Sequence, residues 1–236
     1  MTGAPERDAV AGRPPSAALA GVLAGVQSQG VWAGRRQLFV RFAGEAETAT
    51  MYSAPALAAE LKRMTAVVRC HSVSITGYDA LDNAAFLAAA FFYGRPAVPV
   101  MLDTDGQRPG AVAGLRALLT LVQVTVDYLG PKSAVDRAIE TVGVAAGIGA
   151  QHALVLNVRD DTTDAQVLRA IEQAHAASSG TMIVVHPNPA GERPAFGGSG
   201  AAASLDRRWS ALMDQAQGVH DDVRLQLRLP APAGMR

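Results

Sequence analysis

The sequence predicts an α/β fold with parallel strands, and three observations carry that prediction. From Leu38 onward, short β-branched or aromatic runs alternate with Ala/Leu-rich segments of helical period. Helix-start signals stand where the alternation needs them: Pro55 and Pro131 at or before two predicted starts, and Thr162 and Thr163 ahead of Asp164 at a third. With 236 residues, 49% of them hydrophobic, the chain can bury a core of ordinary size. Alternation of this kind implies parallel strands joined by crossover helices, as a barrel, a partial barrel or a doubly wound sheet.

Residues 1–16 are rich in Pro, Gly and charge and are expected to be disordered, leaving 17–236 as one domain. The apolar run Ala17–Val26 resembles a signal-peptide core, but Pro14–Pro15 and mixed charges precede it and no small-residue cleavage site follows. Predicted strands cover Leu38–Phe42, Ser72–Thr76, Pro99–Leu102, Val122–Tyr128, Ala153–Val158, Met182–His186 and Val223–Leu229. Predicted helices cover Pro55–Val67, Leu81–Phe92, Gly110–Leu121, Ser133–Ala146, Thr163–Ala177 and Leu205–Gln217. Pro187–Ser204, with its glycines and prolines, reads as a surface loop; within it Gly197–Gly200 follows no strand and is not a phosphate cradle. The longest other apolar stretch, Ala84–Tyr93, is too short to span a bilayer. A cytoplasmic protein is expected.

Charge is balanced, with 21 basic and 21 acidic residues, so neither nucleic acid nor an anionic membrane is an expected partner. Cys70 is the only cysteine, which excludes an intrachain disulfide framework and any site built on several thiolates. Beside a strand, it reads as a small apolar residue rather than a nucleophile. There is no GxSxG elbow, no Walker loop and no CxxC pair.

In parallel α/β folds the site lies at the carboxyl ends of the strands. That rule selects Glu45 and Glu47, then Asp79, then Asp103 and Asp105, then Asp127, Asp160 and Asp161, with His186 and Asn188 after the sixth strand. Such carboxylates commonly cap helices and solvate turns. Glu45, Asp79, Asp103 and Asp105 are also oxygen donors of the type that holds magnesium or manganese.

The stretch Gly25–Gly44, reading GVQSQGVWAGRRQLFVRFAG, resembles the opening of 7-carboxy-7-deazaguanine synthases and related organic-radical-activating enzymes of the radical SAM superfamily. Further on, VSITGYDAL (73–81), LDTDG (102–106) and DYLGPK (127–132) resemble that family's VxITGGEPL, LETNG and strand-end D-x-K segments. The resemblance spans roughly Ala20–Arg236, and the GRRQxFVRFAG block is its most specific part. It implies a partial (β/α) barrel. It also implies an iron–sulfur cluster on three cysteines, with S-adenosylmethionine on the open iron. The three cluster positions here are Glu45, Ala49 and Tyr52, which supply no thiolate. Tyr78 replaces the second glycine of the GGEP motif, Asp79 and Ala80 its last two residues, and Ser28–Gln29 the middle of the family's QGEG turn. Gln27, Gly30, Gly34, Arg35, Arg36, Arg41, Gly44, Gly77, Gly106 and Lys132 match the pattern.

Scaffold positions are thus kept while reactive ones are lost, and two functions compete. The first is a non-catalytic binding or regulatory subunit without cofactor. The resemblance implies a homodimer, or a heterodimer with an intact relative, and a pterin- or purine-like small-molecule ligand. Its ligand-binding candidates are Gln27, Gly30, Arg41, Gly77, Asp79, Asp105 and Lys132, with Arg41 suited to a carboxylate or paired to Glu45 or Glu47. The second is a divalent-metal-dependent enzyme using Glu45, Asp79, Asp103 and Asp105.

Overall fold

Alternating burial along the strands organises the molecule. The computed structural model describes residues 13–78, 80–127, 129, 132–187 and 201–226, without the side chains of 132–133 and 201–206. Nine strands form one sheet: β1 (Ser16–Val26), β2 (Arg36–Phe42), β3 (Thr50–Ser53), β4 (Ser72–Gly77), β5 (Val100–Thr104), β6 (Leu121–Val126), β7 (Gln151–Val158), β8 (Met182–Pro187) and β9 (Val223–Leu225). Their order is β3-β1-β2-β4-β5-β6-β7-β8-β9. From β2 through β9 every neighbouring pair is parallel, whereas β1 runs antiparallel to both β2 and β3. The sheet is therefore mostly parallel and alternates with helices, as expected, and no pairing joins β3 to β9 among the described residues.

Helices α1 (Ala54–Val67), α2 (Ala84–Tyr93), α3 (Pro109–Val112), α4 (Lys132–Gly147), α5 (Asp164–Ala177) and α6 (Ala201–Gln217) fill the connections. Pro55 stands in the first turn of α1 and Thr163 precedes α5, as anticipated, whereas Pro131 lies outside the described residues. Ser53 caps α1 through the Ala56 amide, and Thr163 forms a capping box with Gln166. Odd-even periodicity then divides the strands. Val122, Val124 and Val126 of β6, like Leu154, Leu156 and Val158 of β7, face the helices and join the main core. Leu121, Gln123 and Thr125 alternate with the β6 valines and so occupy the opposite, inner face.

Several expectations need correction. Ala17–Val26 is a strand, and it begins at Ser16, inside the segment expected to be disordered; residues 1–12 of that segment lie outside the described residues. Ala and Gly are poor strand formers, so β1 is invisible to propensity. Pairing on both sides and burial of Leu19 and Val22, worth roughly 2 kcal/mol each, outweigh that deficit. β3 is four residues long and gave no periodic signal. The helix expected over Gly110–Leu121 stops at Val112, continues as a 3₁₀ turn over Ala113–Leu115, and leaves Leu121 to begin β6. α6 starts four residues before its expected position, and the loop residues 188–200 lie outside the described residues. β9 ends at Leu225; residues 227–229 of the predicted strand lie outside the described residues. No helix among the described residues is long and apolar enough to cross a membrane.

The β1–β2 connection, residues 27–35, lies over the inner face. Its base is closed by the Gln27 amide on Arg35 O and the Gly34 amide on Gln27 O, both 2.9 Å. The Gly30 amide donates to His186 Nε2 (3.2 Å) on β8 and to Gln226 Oε1 (3.0 Å) beyond β9. Val31 and Trp32 pack on Met101, Leu121 and Ala153, and Trp32 meets His71 edge-on at 4.9 Å. Gly30 has φ +82°, and a Cβ there would lie 1.9 Å from Gln123 Oε1. The hairpin can lie this close to the sheet because residue 30 has no side chain.

Candidate functional site

At the carboxyl ends of β4, β5 and β6 the inner face opens into a cavity of about 540 Å³. Thr76 and Gly77 close β4, Asp103 and Thr104 close β5, and Thr125 with Asp127 closes β6; all line the cavity. Gln29 reaches it from the β1–β2 connection, and Arg108 and Arg137 from the helical side.

Asp103 is the most perturbed group there. Burial pushes its carboxyl above the usual carboxylate range, and the neighbouring Asp127 adds to the rise. The Thr125 hydroxyl, which donates to Asp103 at 2.9 Å, acts the other way, as do the nearby amides of Gln123 and Gln27. Desolvation prevails. Asp127 accepts a hydrogen bond from Asn157 Nδ2 on β7. Gln29 is 9% exposed, and its Oε1 has no partner among the described residues; the same holds for Gln37 Oε1, Ser74 Oγ and Asn157 Oδ1 on the inner face. Leaving a buried acceptor unpaired costs about 1–3 kcal/mol.

The remaining predicted residues fall into groups. Gly77 (φ +97°) lets the β4 terminus approach β2, where a Cβ would stand 2.3 Å from Phe42 O. Gly106 (φ +75°) fits against Val124 and Ala138, and its carbonyl accepts from buried Thr141 at 2.7 Å. Asp105 lines the cavity, but its Oδ1 accepts from the Gln107 amide (3.0 Å) in a local turn. Arg41 and Glu45 line a separate shallow recess, and exposed Tyr78 belongs to both openings. Arg41 pairs with Glu47, not Glu45. Asp79 and the side chain of Lys132 lie outside the described residues. Cys70 is partly buried and burial raises its thiol, the opposite of an activated nucleophile.

The three positions that would carry cluster cysteines do not fit a cluster. Glu45 and Ala49 are exposed, and Tyr52 is drawn into β3, opposite Ala17 of β1. A carboxylate, a methyl and a strand phenol cannot replace three thiolates. Among the described residues no three His, Cys, Asp or Glu side chains converge as a metal site.

Sequence reasoning missed Gln29 as a lining residue, along with Thr76, Thr125, Arg108 and Arg137. A glutamine interrupting the apolar β6 run at Gln123 was the available signal that the inner face is polar. No protein-family model matches the chain, and no curated protein matches it in sequence.

Proposed function

We propose that this chain is a cluster-free relative of the 7-carboxy-7-deazaguanine synthases, retained as a non-catalytic binding or regulatory protein whose ligand occupies the β4–β6 cavity. One observation carries the reading. The mouth of the parallel sheet keeps a roomy, polar cavity with an unpartnered buried acceptor, while the segment that would wrap a cluster holds no thiolate and ends in an edge strand. A fold by itself permits many activities, so the site has to argue for one. The retained features position backbone, as at Gly30 and Gly77; the lost ones would have done the chemistry. A paired assembly with an intact relative belongs to the same proposal.

The test is anaerobic reconstitution with iron and sulfide, followed by metal analysis and titration with S-adenosylmethionine. Colourless protein without stoichiometric iron and without affinity for the cosubstrate is expected. Four irons per chain with a visible charge-transfer band would reverse the proposal.

A further inference from the structure

We infer that the amino ends of β2 and β4 carry a docking surface for an acidic face of a partner protein, with Arg35, Arg36 and Arg69 as its cations. The inference goes beyond the cavity reading. It shares no residue with the β4–β6 lining, so either can fail alone.

β2 and β4 are parallel neighbours, so their amino ends lie side by side, tied by the His71 amide on Arg36 O at 2.8 Å. Arg36 opens β2 with Arg35 before it, and Arg69 stands three residues before β4; all three are exposed. Their neighbours are shared. Trp32 meets His71 edge-on, and the Arg35 amide donates to Trp32 O at 3.1 Å. Partial burial holds the His71 imidazole below its ordinary range, and the charge of Arg35 lowers it further. Burial raises the Cys70 thiol, while the charge of Arg36 works against the rise.

These charges are left uncancelled. Arg41, Arg63, Arg108, Arg159, Arg208 and Arg224 are ion-paired, whereas Arg35, Arg36 and Arg69 have no ion pair among the described residues. Neither 13–44 nor 61–78 contains an Asp or Glu. Apolar surface lies among the cations. Val26, opposite Arg36 in the β1–β2 register, is 47% exposed, and Val67, two positions before Arg69, is 71% exposed. Guanidiniums offer forked donors to carboxylates, and the valines offer area to bury, which together suit a protein interface. A nucleic acid would leave the valines uncovered and, on a chain of zero net charge, would meet carboxylates beyond the patch. A bilayer takes long aliphatic or aromatic anchors, and Trp32 is already packed on Met101, Leu121 and Ala153.

The experiment is calorimetric and NMR titration of the full chain with a short peptide of glutamates around a central leucine. Its glutamine counterpart, oligothymidylate and phosphatidylserine vesicles are the competing probes. The glutamate peptide is expected to bind roughly tenfold or more tightly than the glutamine peptide, to weaken with added salt and to shift the ring signals of Trp32 and His71. Arg35→Gln, Arg36→Gln and Arg69→Gln should each lower that affinity by about threefold to tenfold and keep the wild-type melting temperature. Arg169→Gln, an exposed site on α5, should bind like wild type and so reports any effect of net charge alone. Tighter binding of oligothymidylate or of the vesicles overturns the assignment to a protein partner. Equal binding of the two peptides, or a loss in Arg169→Gln as large as in the patch variants, overturns the surface itself. None of these results bears on the β4–β6 cavity.

Discussion

At the amino ends of β7, β8 and β9, three histidines are threaded into a chain of hydrogen bonds. His152 bonds Ala150 O and the Ser178 hydroxyl, Thr181 bonds Ser178 O, and His220 Nε2 donates to Thr181 O at 2.6 Å. His220 Nδ1 is thereby left to accept from His175 Nδ1, 2.9 Å away. The inner face of the same sheet also buries polar side chains, yet Gln29, Gln37, Ser74 and Asn157 each keep an atom without a partner among the described residues. Both regions take polar groups out of water, and only one returns every hydrogen bond. The saturated region is scaffold. The unsaturated one carries a standing cost in stability, which the binding role proposed for the adjoining cavity would explain.

This contrast can be broken by substitution. The largest effect is expected at the backbone framing the cavity. Gly77→Ala sets a methyl against Phe42 O at a left-handed φ, and should cost about 4 kcal/mol or yield insoluble protein, as read by urea denaturation. Next comes the saturated network. His220→Ala removes a buried ring and strands Thr181 O, for a loss of about 2–4 kcal/mol in the same assay. On the inner face the sign should reverse. Ser74→Ala deletes an unpartnered buried hydroxyl and is expected to gain up to about 1 kcal/mol. A loss of 2 kcal/mol or more there, on the scale expected of the network, would erase the distinction between the two regions.

Two finer tests address the carboxylates. Asp103 holds its proton more tightly folded than unfolded, so its contribution favours folding below the ordinary carboxylate range and is lost as pH rises through the higher folded value. Asp103→Asn should remove that decline, so that its stability relative to wild type improves with rising pH; parallel curves would show that Asp103 is not desolvated. The smallest effect is expected from metal. Magnesium or manganese should move the unfolding midpoint of neither the wild type nor Asp103→Asn/Asp105→Asn. A rise in the wild type that vanishes in the double variant would favour a metal-dependent enzyme.

The parts of the fold legible in the sequence were those with strong local chemistry. β6, β7 and β8 are dense in Val, Ile and Leu, and α5 announces itself with a capping box. β1 was hidden because its Ala/Gly composition favours no strand, and its stability lies in partners 23 to 35 positions away, from Leu19–Phe42 to Ala17–Tyr52. The strand-end rule found Asp103, Asp105 and Asp127 because their position depends on topology alone. It could not find Gln29 or Arg137, which reach the cavity from a loop and a helix whose directions are set by packing. Nor could it foresee that Arg41 and Asp103 face different openings, divided by the side chain of Tyr78.

The single amide of Gly30, bonded to His186 and Gln226, spans sequence separations of 156 and 196 residues. Those bonds cannot form until β8 and the segment after β9 have taken their places, so the first connection of the sheet is anchored by its last described strands. Trp32, carried by that hairpin and packed on Met101, Leu121 and Ala153 of the inner face, gives the docking of the connection its own fluorescence signal during refolding.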